Sequence, residues 1–507
     1  MKNHLYDAIE KAIPGRDRTL IELSDGRKIS YGELFALVET LSGHLARCGV
    51  AAGDRVAVQV EKSWQAMALY LATVRAGAAY LPLNTAYPLA ELEYFLGDAQ
   101  PSFVVARPQI EEDVRALCKT IGKATVQSLG PNGEGSLLAA AEGAPAIDPR
   151  PRGPEELAAI LYTSGTTGRS KGAMLTHDNL LSNALVLVDY WRFTEKDVLL
   201  HALPIFHTHG LFVAINTILL SGGSMLYLPK FDNDTVIRLL PKATSMMAVP
   251  TFYVRLLDDA RFDRGLAKNI RLFTSGSAPL LAETHRAFSD RTGHMILERY
   301  GMTETNMSTS NPYDGDRIPG TVGFPLPGIQ VRVADPETGR VLPQGEVGVL
   351  EVRGPNVFAG YWRMPEKTKA EFRADGFFIT GDVSKIDERG YVHIVGRAKD
   401  LVITGGYNVY PKEVETEIDA IKGVMESAVI GCPHPDFGEG VTAVVVREKG
   451  ASLSEGDVTA ALEGRLAKFK QPKRVFFVDE LPRNAMGKVQ KNVLRETYAA
   501  IYARGAA

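Results

Sequence analysis

The segment Leu161-Tyr-Thr-Ser-Gly-Thr-Thr-Gly-Arg-Ser-Lys-Gly172 joins an apolar run to a stretch of small polar residues. Every residue from Thr163 to Gly172 except Arg169 is Gly, Ser, Thr or Lys. Small residues let backbone N–H groups and hydroxyls wrap around phosphate oxygens, and Lys171 adds a positive charge. The spacing G-x-x-G-x-x-K-G is not that of a P-loop, and residues 173–175 predict a second strand. We therefore predict a phosphate-binding turn between two strands. The alternative, a flexible linker, is disfavoured because apolar strands flank the turn.

Strand and helix patterns alternate along the chain before and after this turn. Asp25-Gly26 predicts a hairpin, and Ser30 with Glu33 forms a capping box that opens a helix to about Leu45. Residues 56–60, 64–76 and 80–83 are typical of a strand, a helix and a strand. Further buried strands are predicted at 158–162, 198–202, 225–228, 245–249 and 272–274. This alternation predicts an α/β fold with layered parallel sheets.

The pattern changes in the last third of the chain. From about Gly320, short strands and Gly/Pro turns predict a β-rich subdomain, with strands at 330–333, 348–353 and 391–395. Beyond Asp400 an α+β pattern follows, with helices at 413–418 and 457–466 and strands at 426–430, 441–447 and 474–478. We predict a large domain, 1–399, made of layered α/β subdomains and a β-rich subdomain, and a small α+β domain, 400–507.

The composition excludes several classes of protein. A chain of 507 residues exceeds one ordinary core, and 45% hydrophobic residues with a net charge of −3 are typical of a globular protein without a nucleic-acid or anionic-membrane partner. Cys48, Cys118 and Cys432 have no metal-ligand spacing, which favours a reduced cytoplasmic protein. Residues 1–17 lack the apolar run of a signal peptide, and no run approaches a membrane span.

The segment 161–172 resembles the signature loop of the adenylate-forming superfamily, which includes acyl-CoA synthetases, adenylation domains of peptide synthetases and firefly luciferase. Six more blocks of this superfamily follow in the same order, at 201–210, 275–280, 300–305, 380–382, 396–411 and 482–488. The resemblance implies that a carboxylate is joined to AMP and then passed to coenzyme A. ATP and coenzyme A would be substrates, with Mg²⁺ as cofactor.

The resemblance also implies roles for residues around the nucleotide. Lys488 would be the catalytic lysine of adenylation, Thr303 would touch the α-phosphate, and Glu304 with Thr167 would hold Mg²⁺. The phosphate loop would comprise Thr163, Ser164, Gly165, Thr166, Thr167, Gly168 and Lys171. Adenine and ribose would contact Gly276, Ser277, Ala278, Tyr300, Gly301, Asp382 and Arg397. The alternatives are ordinary surface charges for Glu304 and Lys488, and a strand-end ion pair for Asp382 and Arg397.

Two conformations are implied by the same resemblance. Asp400 matches a hinge about which the C-terminal domain swings after adenylation. Gly405 and Gly406 would then line the tunnel for the pantetheine arm of coenzyme A, where a side chain would obstruct the thiol. Acylation of Lys488 by a lysine acyltransferase is a further expectation, because a neutral lysine could not stabilise the adenylation transition state.

The acid substrate is predicted from a cation in the segment 249–255. Arg255 would suit a second carboxylate better than an alkyl chain. The chain resembles malonyl-CoA synthetases here, which implies malonate or methylmalonate as substrate. The remaining pocket walls would be His207, Ser277, Thr303 and Met307. Alternatively, Arg255 pairs with Asp258 or Asp259 on a helix, and Arg286 is a weaker rival for its role. The histidines at 201, 207 and 209 favour packing over a metal site.

Other functions stay open at this point. The chain could ligate another short acid, or it could be a stand-alone adenylation enzyme that loads a carrier protein. We expect free coenzyme A, because no carrier-like segment follows Tyr502. A non-catalytic nucleotide sensor is disfavoured by the presence of Lys488, Glu304 and Asp382.

Overall fold

The computed structural model describes residues 3–163, 170–404, 407–484 and 487–502. Its strands are β1 Thr19–Leu23, β2 Lys28–Ser30, β3 Arg55–Val58, β4 Ala79–Pro82, β5 Phe103–Ala106, β6 Thr125–Ser128, β7 Leu157–Thr163, β8 Lys171–Thr176, β9 Val198–His201, β10 Ser224–Tyr227, β11 Ser245–Ala248, β12 Leu272–Ser275, β13 Leu297–Met302, β14 Asn306–Ser310, β15 Phe324–Pro325, β16 Gln330–Ala334, β17 Gly348–Arg353, β18 Gly360–Tyr361, β19 Phe378–Ile386, β20 Val392–Arg397, β21 Val402–Thr404, β22 Tyr407–Val409, β23 Val424–His434, β24 Gly438–Arg447 and β25 Arg474–Val478.

The α-helices lie between these strands in a mostly alternating order. They are α1 His4–Lys11, α2 Tyr31–Arg47, α3 Trp64–Arg75, α4 Leu89–Ala99, α5 Glu111–Ile121, α6 Ser136–Ala141, α7 His177–Tyr190, α8 Asn216–Ser221, α9 Asn233–Leu239, α10 Pro250–Leu257, α11 Ala282–Thr292, α12 Pro365–Ala370, α13 Pro411–Asp419, α14 Glu455–Leu462 and α15 Lys491–Thr497. A π-helical segment, His209–Ile215, leads directly into α8.

Two large sheets form the first part of the molecule. One runs in the order β15-β14-β13-β12-β11-β9-β10-β1-β2, and its strands from β13 to β1 pair in parallel. The other runs β18-β8-β7-β4-β3-β5-β6, with parallel pairing from β7 to β6. Helix α3 is buried from Gln65 to Arg75. Parallel sheets covered by helices bury both faces of their strands, which explains the continuous apolar runs in the sequence.

Two smaller sheets complete the chain. The antiparallel sheet β16-β17-β19-β20 is the predicted β-rich subdomain. The last sheet, β22-β21-β24-β23 with β25 alongside β24, packs with α13 and α14 into a separate small core. Buried clusters between Leu5 and Val392 share no member with those that begin at Val402. The boundary predicted near Asp400 lies in this interval.

The α/β fold class is confirmed, and most predicted elements differ from the structure by a few residues at their ends. The capping box at Ser30 is present, with the Glu33 amide donating to Ser30 Oγ and the Glu33 carboxylate accepting from the Ser30 amide. The helix predicted at 457–466 is shorter, Glu455–Leu462, because Gly464 takes a left-handed φ of 76° just after it. In the described parts of the chain, no helix has the length and apolarity needed to cross a membrane.

Candidate active site

The predicted ribose site forms where β19 and β20 pair, with Asp382 and Arg397 directly opposite each other. Arg397 Nε lies 2.6 Å from Asp382 Oδ1, and the hydroxyl of Tyr300 donates to Asp382 Oδ2 at 2.5 Å. The Asp382 amide donates to Thr380 Oγ1, which fixes the turn that carries the carboxylate. Burial and the neighbouring Asp382 raise the pKa of Tyr300, so its hydroxyl stays a donor. Three predicted ribose and adenine residues therefore meet in one buried cluster.

Lys488 reaches this cluster from the C-terminal part of the chain. Its amide donates to Asn484 Oδ1 at 3.0 Å, and its carbonyl accepts from the Asn484 amide at 2.9 Å. Gly487 has a φ of 74°, and a Cβ there would lie 2.9 Å from Thr251 Cγ2 at the start of α10. Only glycine fits this approach without displacing Thr251. Burial, and then the positive charge of Arg397, lower the pKa of Lys488 to about 8.

The predicted phosphate site is described on one side of its turn. Thr163 and Lys171 pair across β7 and β8, whereas Ser164, Gly165, Thr166, Thr167 and Gly168 lie outside the described residues. Lys171 Nζ lies 3.2 Å from Glu371 Oε1 and 4.1 Å from the ring centre of Tyr361. The Tyr361 hydroxyl lies 3.0 Å from Glu304 Oε1. Lys171 and Glu304 therefore flank the same tyrosine.

Glu304 is 5% exposed, and burial raises the pKa of its carboxyl. A buried carboxylate is stabilised by a cation, and its oxygens are ligands of the type that Mg²⁺ prefers. The donor chemistry of Glu304 therefore fits the Mg²⁺ predicted from the sequence. Thr303, half-buried, precedes it in the turn between β13 and β14. Within the described ranges, no three His, Cys, Asp or Glu side chains cluster as a metal site.

The predicted adenine segment follows β12. Ser277 has a left-handed φ of 70°, and its hydroxyl lies 3.1 Å from His209 Nδ1. At Gly276 a Cβ would lie 2.0 Å from a guanidinium nitrogen of Arg299, so a side chain there would require the buried Arg299 to move. Gly301 is equally constrained, since its Cβ would lie 1.7 Å from the Asn306 carbonyl oxygen on β14. Ala278 is half-buried beside Ser277.

A buried arginine lies behind this segment. Arg299 on β13 is 2% exposed, and none of its guanidinium nitrogens has a hydrogen-bond partner among the described residues. Burial lowers the pKa of Arg299 to about 9. Burial, followed by the charges of Arg299 and Lys488, lowers the pKa of His207 to about 4. His207 is therefore neutral at physiological pH and lies within electrostatic reach of both cations. Met307, on β14, is buried opposite Gly301 of β13.

Two family models match the chain, AMP-binding enzyme over residues 10–362 and AMP-binding enzyme C-terminal domain over residues 413–488. The chain belongs to the AMP-binding enzyme family. Mitochondrial malonate–CoA ligase ACSF3 of Mus musculus is 36% identical, over 93% of this chain and 90% of its own. ATP-bound MatB from Rhodopseudomonas palustris is 63% identical and covers 99% of this chain and all of its own, with a TM-score of 0.97. Apo MatB, with the same identity and coverage, gives 0.86.

In this AMP-binding enzyme, the cation predicted for the acid is exposed to solvent. Arg255 is exposed on α10, with its guanidinium 5.9 Å from the ring centre of Phe231. Its alternative partner Asp259 pairs with Arg261 instead. Arg286 is also exposed, on α11. Of the other residues predicted for the acid, His207 lies within electrostatic reach of Arg299, and Ser277 contacts His209, whose pKa is lowered by burial and then by the charge of Arg299.

Two residues of this AMP-binding enzyme escaped the sequence reasoning. Arg299 directly precedes the recognised motif that begins at Tyr300. Glu298 and Arg299 are adjacent charged residues, a pattern that does not indicate burial, yet both are buried. Glu371 lies 200 positions from Lys171, so only the fold shows that they meet.

The residues predicted for the second half-reaction are partly described. Gly405 and Gly406 lie outside the described residues, between the paired strands β21 and β22. Asp400, the predicted hinge, accepts from Arg495 on α15 at 2.9 Å.

Proposed function

We propose that this AMP-binding enzyme is an AMP-forming malonate–CoA ligase. It converts ATP and malonate to malonyl-adenylate and pyrophosphate, and then converts malonyl-adenylate and coenzyme A to malonyl-CoA and AMP. The observation that carries the proposal is Arg299, a buried guanidinium without a hydrogen-bond partner among the described residues, whose charge acts on His207 together with that of Lys488. The malonate–CoA ligase among its relatives supports the same acid.

The charge of the pocket favours a short dicarboxylate. A buried unpaired cation is costly, and a bidentate carboxylate is the partner that a guanidinium fits best. One carboxylate of malonate would bind Arg299, and the other would point towards Lys488. His207 lies within reach of both cations, and its neutral ring can donate to either carboxylate. Methylmalonate adds one methyl group to the same pair of charges.

Adenylation uses the cations at the nucleotide. A carboxylate oxygen of malonate attacks the α-phosphorus of ATP, a new P–O bond forms, and the bond to pyrophosphate breaks. Lys488 stabilises the negative charge that gathers on the attacking carboxylate and the α-phosphate. Asp382 accepts hydrogen bonds from the ribose hydroxyls, with Arg397 and Tyr300 holding the carboxylate in place. Gly276, Ser277, Ala278 and Gly301 border the adenine, and Thr303 contacts the α-phosphate.

The triphosphate binds the turn between β7 and β8, with Lys171 as its cation. Glu304 and Thr167 would hold the Mg²⁺ ion, which neutralises charge on the phosphate oxygens when it is bound. The raised pKa of Glu304 supports this role, since a cation at the site would favour its ionised form.

The second half-reaction requires the small domain, 400–507, to rotate about Asp400 so that Lys488 leaves. Gly405 and Gly406 then line the path of the pantetheine thiol, whose sulfur attacks the acyl carbon and releases AMP. The closer similarity to ATP-bound MatB than to apo MatB supports the view that the present arrangement is the one for adenylation.

The test is release of pyrophosphate and AMP with malonate, methylmalonate, succinate, propionate and acetate, each with and without coenzyme A. We expect malonate to give the highest kcat/KM and AMP release to depend on coenzyme A. A preference for another acid, or AMP turnover that needs a carrier protein instead, would overturn the proposal.

Paired arginine variants test how the acid is recognised. Arg299→Met should lower kcat/KM for malonate about 100-fold, because a charge-assisted bidentate contact of about 3 kcal/mol is lost, while propionate is used relatively better. Arg255→Met is the matched control and should stay within about twofold of the parent enzyme. Equal loss for malonate and propionate in Arg299→Met would point to damaged packing, and a malonate-specific loss in Arg255→Met would restore the sequence-based assignment.

A further inference from the structure

Lys171 is held by a residue from a distant part of the chain. Its ammonium lies 3.2 Å from Glu371 Oε1, and both side chains are largely buried, with 17% and 19% of their surfaces exposed. Glu371 directly follows α12, which is fixed to β18 because the Tyr361 amide donates to Thr368 Oγ1 at 2.9 Å. The carboxylate therefore has a defined place relative to β8, where Lys171 begins the strand.

Tyr361 connects this ion pair to Glu304. Its hydroxyl lies 2.7 Å from Glu371 Oε2 and 3.0 Å from Glu304 Oε1, and its ring lies under the Lys171 ammonium at 4.1 Å. Tyr361 is 2% exposed, so these contacts occur on a side chain that cannot move freely. The Tyr361 hydroxyl thus lies between Glu304, which is proposed to hold Mg²⁺, and Glu371, the partner of Lys171.

We propose that Glu371 is a positioning residue for the triphosphate of ATP, acting through Lys171. The inference rests on the proposed function, since Lys171 meets phosphate only if ATP is the substrate. An ammonium group has three N–H donors, and the contact with Glu371 uses one. The other two remain for phosphate oxygens. Lysine is also costly to fix because its stem is flexible, and Glu371 with the Tyr361 ring fixes it beforehand.

The charge of Glu371 does not oppose the phosphates, because a second cation shares it. Lys367 Nζ lies 2.8 Å from the same carboxylate oxygen, one helical turn earlier, and is 47% exposed. Lys367 keeps Glu371 neutralised when Lys171 turns two of its donors to phosphate. Salt bridges to both lysines and the Tyr361 hydrogen bond lower the pKa of Glu371, which keeps the carboxylate ionised.

Glu371→Ala and Glu371→Asp test this role, with Glu366→Ala as the matched control because it removes an exposed carboxylate from α12, the helix that Glu371 directly follows. ATP binding is measured by calorimetry with Mg²⁺, and KM for ATP and for malonate by pyrophosphate release. We expect Glu371→Ala to weaken ATP binding and raise KM for ATP about tenfold, with KM for malonate unchanged. Glu371→Asp should recover part of the loss, and Glu366→Ala should stay within about twofold.

Conversion of supplied malonyl-adenylate and coenzyme A to malonyl-CoA separates positioning from damage, since that step involves no triphosphate. Its rate should be unchanged in Glu371→Ala. The inference is overturned if ATP affinity is unchanged, if both half-reactions fall together, or if the effects of Glu371→Ala and Lys171→Ala simply add in the double variant. Any of these results leaves malonate–CoA ligation by the parent enzyme intact, whereas failure of the parent to release pyrophosphate with malonate overturns the proposed function itself.

Discussion

The surroundings of Lys488 lower the pKa of its ammonium group into the range in which enzymes are assayed. Burial and Arg397 lower its pKa to about 8, so the ammonium form is complete at pH 6–7 and is lost as the pH rises through 8. Adenylation needs that positive charge. We therefore expect kcat/KM for malonate-dependent pyrophosphate release to fall about tenfold per pH unit above the pKa, which is the value that kcat/KM reports for the free enzyme.

Lys488→Arg is the control for this pH dependence, because a guanidinium stays protonated throughout the range. The activity of Lys488→Arg will be lower, because the planar guanidinium does not have the geometry of the ammonium group. The decrease in kcat/KM near pH 8 should nevertheless vanish. If the fall persists in Lys488→Arg, another group controls it.

The nucleotide-site residues predicted from the sequence share one property. Each is a residue type that the proposed chemistry needs, at a fixed position within a contiguous motif. Tyr300, Glu304 and Asp382 are of this kind. The choice between Arg255 and Arg299 as the cation for the acid substrate could not be made in this way. Both are cations beside recognised motifs. The structure distinguishes them by burial, because Arg255 lies on the exposed side of α10 whereas Arg299 is buried on β13. Burial of a charge against its usual preference cannot be read from local pattern.

At the scale of elements, the segment from His201 to the π-helix His209–Ile215 is the proposed wall of the acid site. Lys62 donates to His201 Nδ1 at 2.7 Å and to its carbonyl oxygen at 2.9 Å, so the ring proton belongs on Nε2, which donates to the Gly210 carbonyl at 2.8 Å. A Cβ at Gly210 would lie 2.0 Å from the Pro204 carbonyl oxygen. This closed turn carries His207, and a π-helix is often found at a functional site.

Lys62→Met tests this element. Lys62 is buried and has no acidic partner among the described residues. Methionine removes this desolvated side-chain amine but leaves His201 Nδ1 without its donor, and because the two effects oppose each other, thermal stability should change little. The turn loses its donor to His201, so we expect KM for malonate to rise about three- to tenfold while KM for ATP stays constant. A thermal shift assay and both KM values check this, and a parallel rise of the two KM values would contradict it.

Elements were easier to predict than their contacts. Capping boxes, apolar runs and glycine turns located α2, β17 and β25, because those signals are local. The π-helix carries no such local signal. The meeting of α12 with β8 through Glu371 and Lys171 depends on the order of strands in a sheet, which residue spacing does not specify.

At the scale of the whole molecule, the chain has separate hydrophobic cores in a large body, residues 1–399, and a small body, residues 400–507. The two half-reactions are proposed to use different residues of the small body. Lys488→Ala should abolish adenylation, yet still convert supplied malonyl-adenylate and coenzyme A to malonyl-CoA. Gly406→Leu should do the reverse. Each half-reaction is measured separately, as pyrophosphate release and as thioester formation.

These two variants are controls for each other, because both alter the small body and each removes a residue that is proposed to act in only one half-reaction. Loss of both half-reactions in either variant would contradict the rotation about Asp400. Mixing the two variants should not restore turnover unless malonyl-adenylate escapes into solution.

The small body holds Lys488 and the hairpin of β21 and β22 together, and this sets the order of events in steady state. In the proposed rotation, when one of them occupies the site the other is displaced, so coenzyme A would not react while the first step is being catalysed. Pyrophosphate must depart before the thiol arrives. Double-reciprocal plots against ATP at several fixed concentrations of coenzyme A should therefore be parallel lines, the signature of a ping-pong sequence.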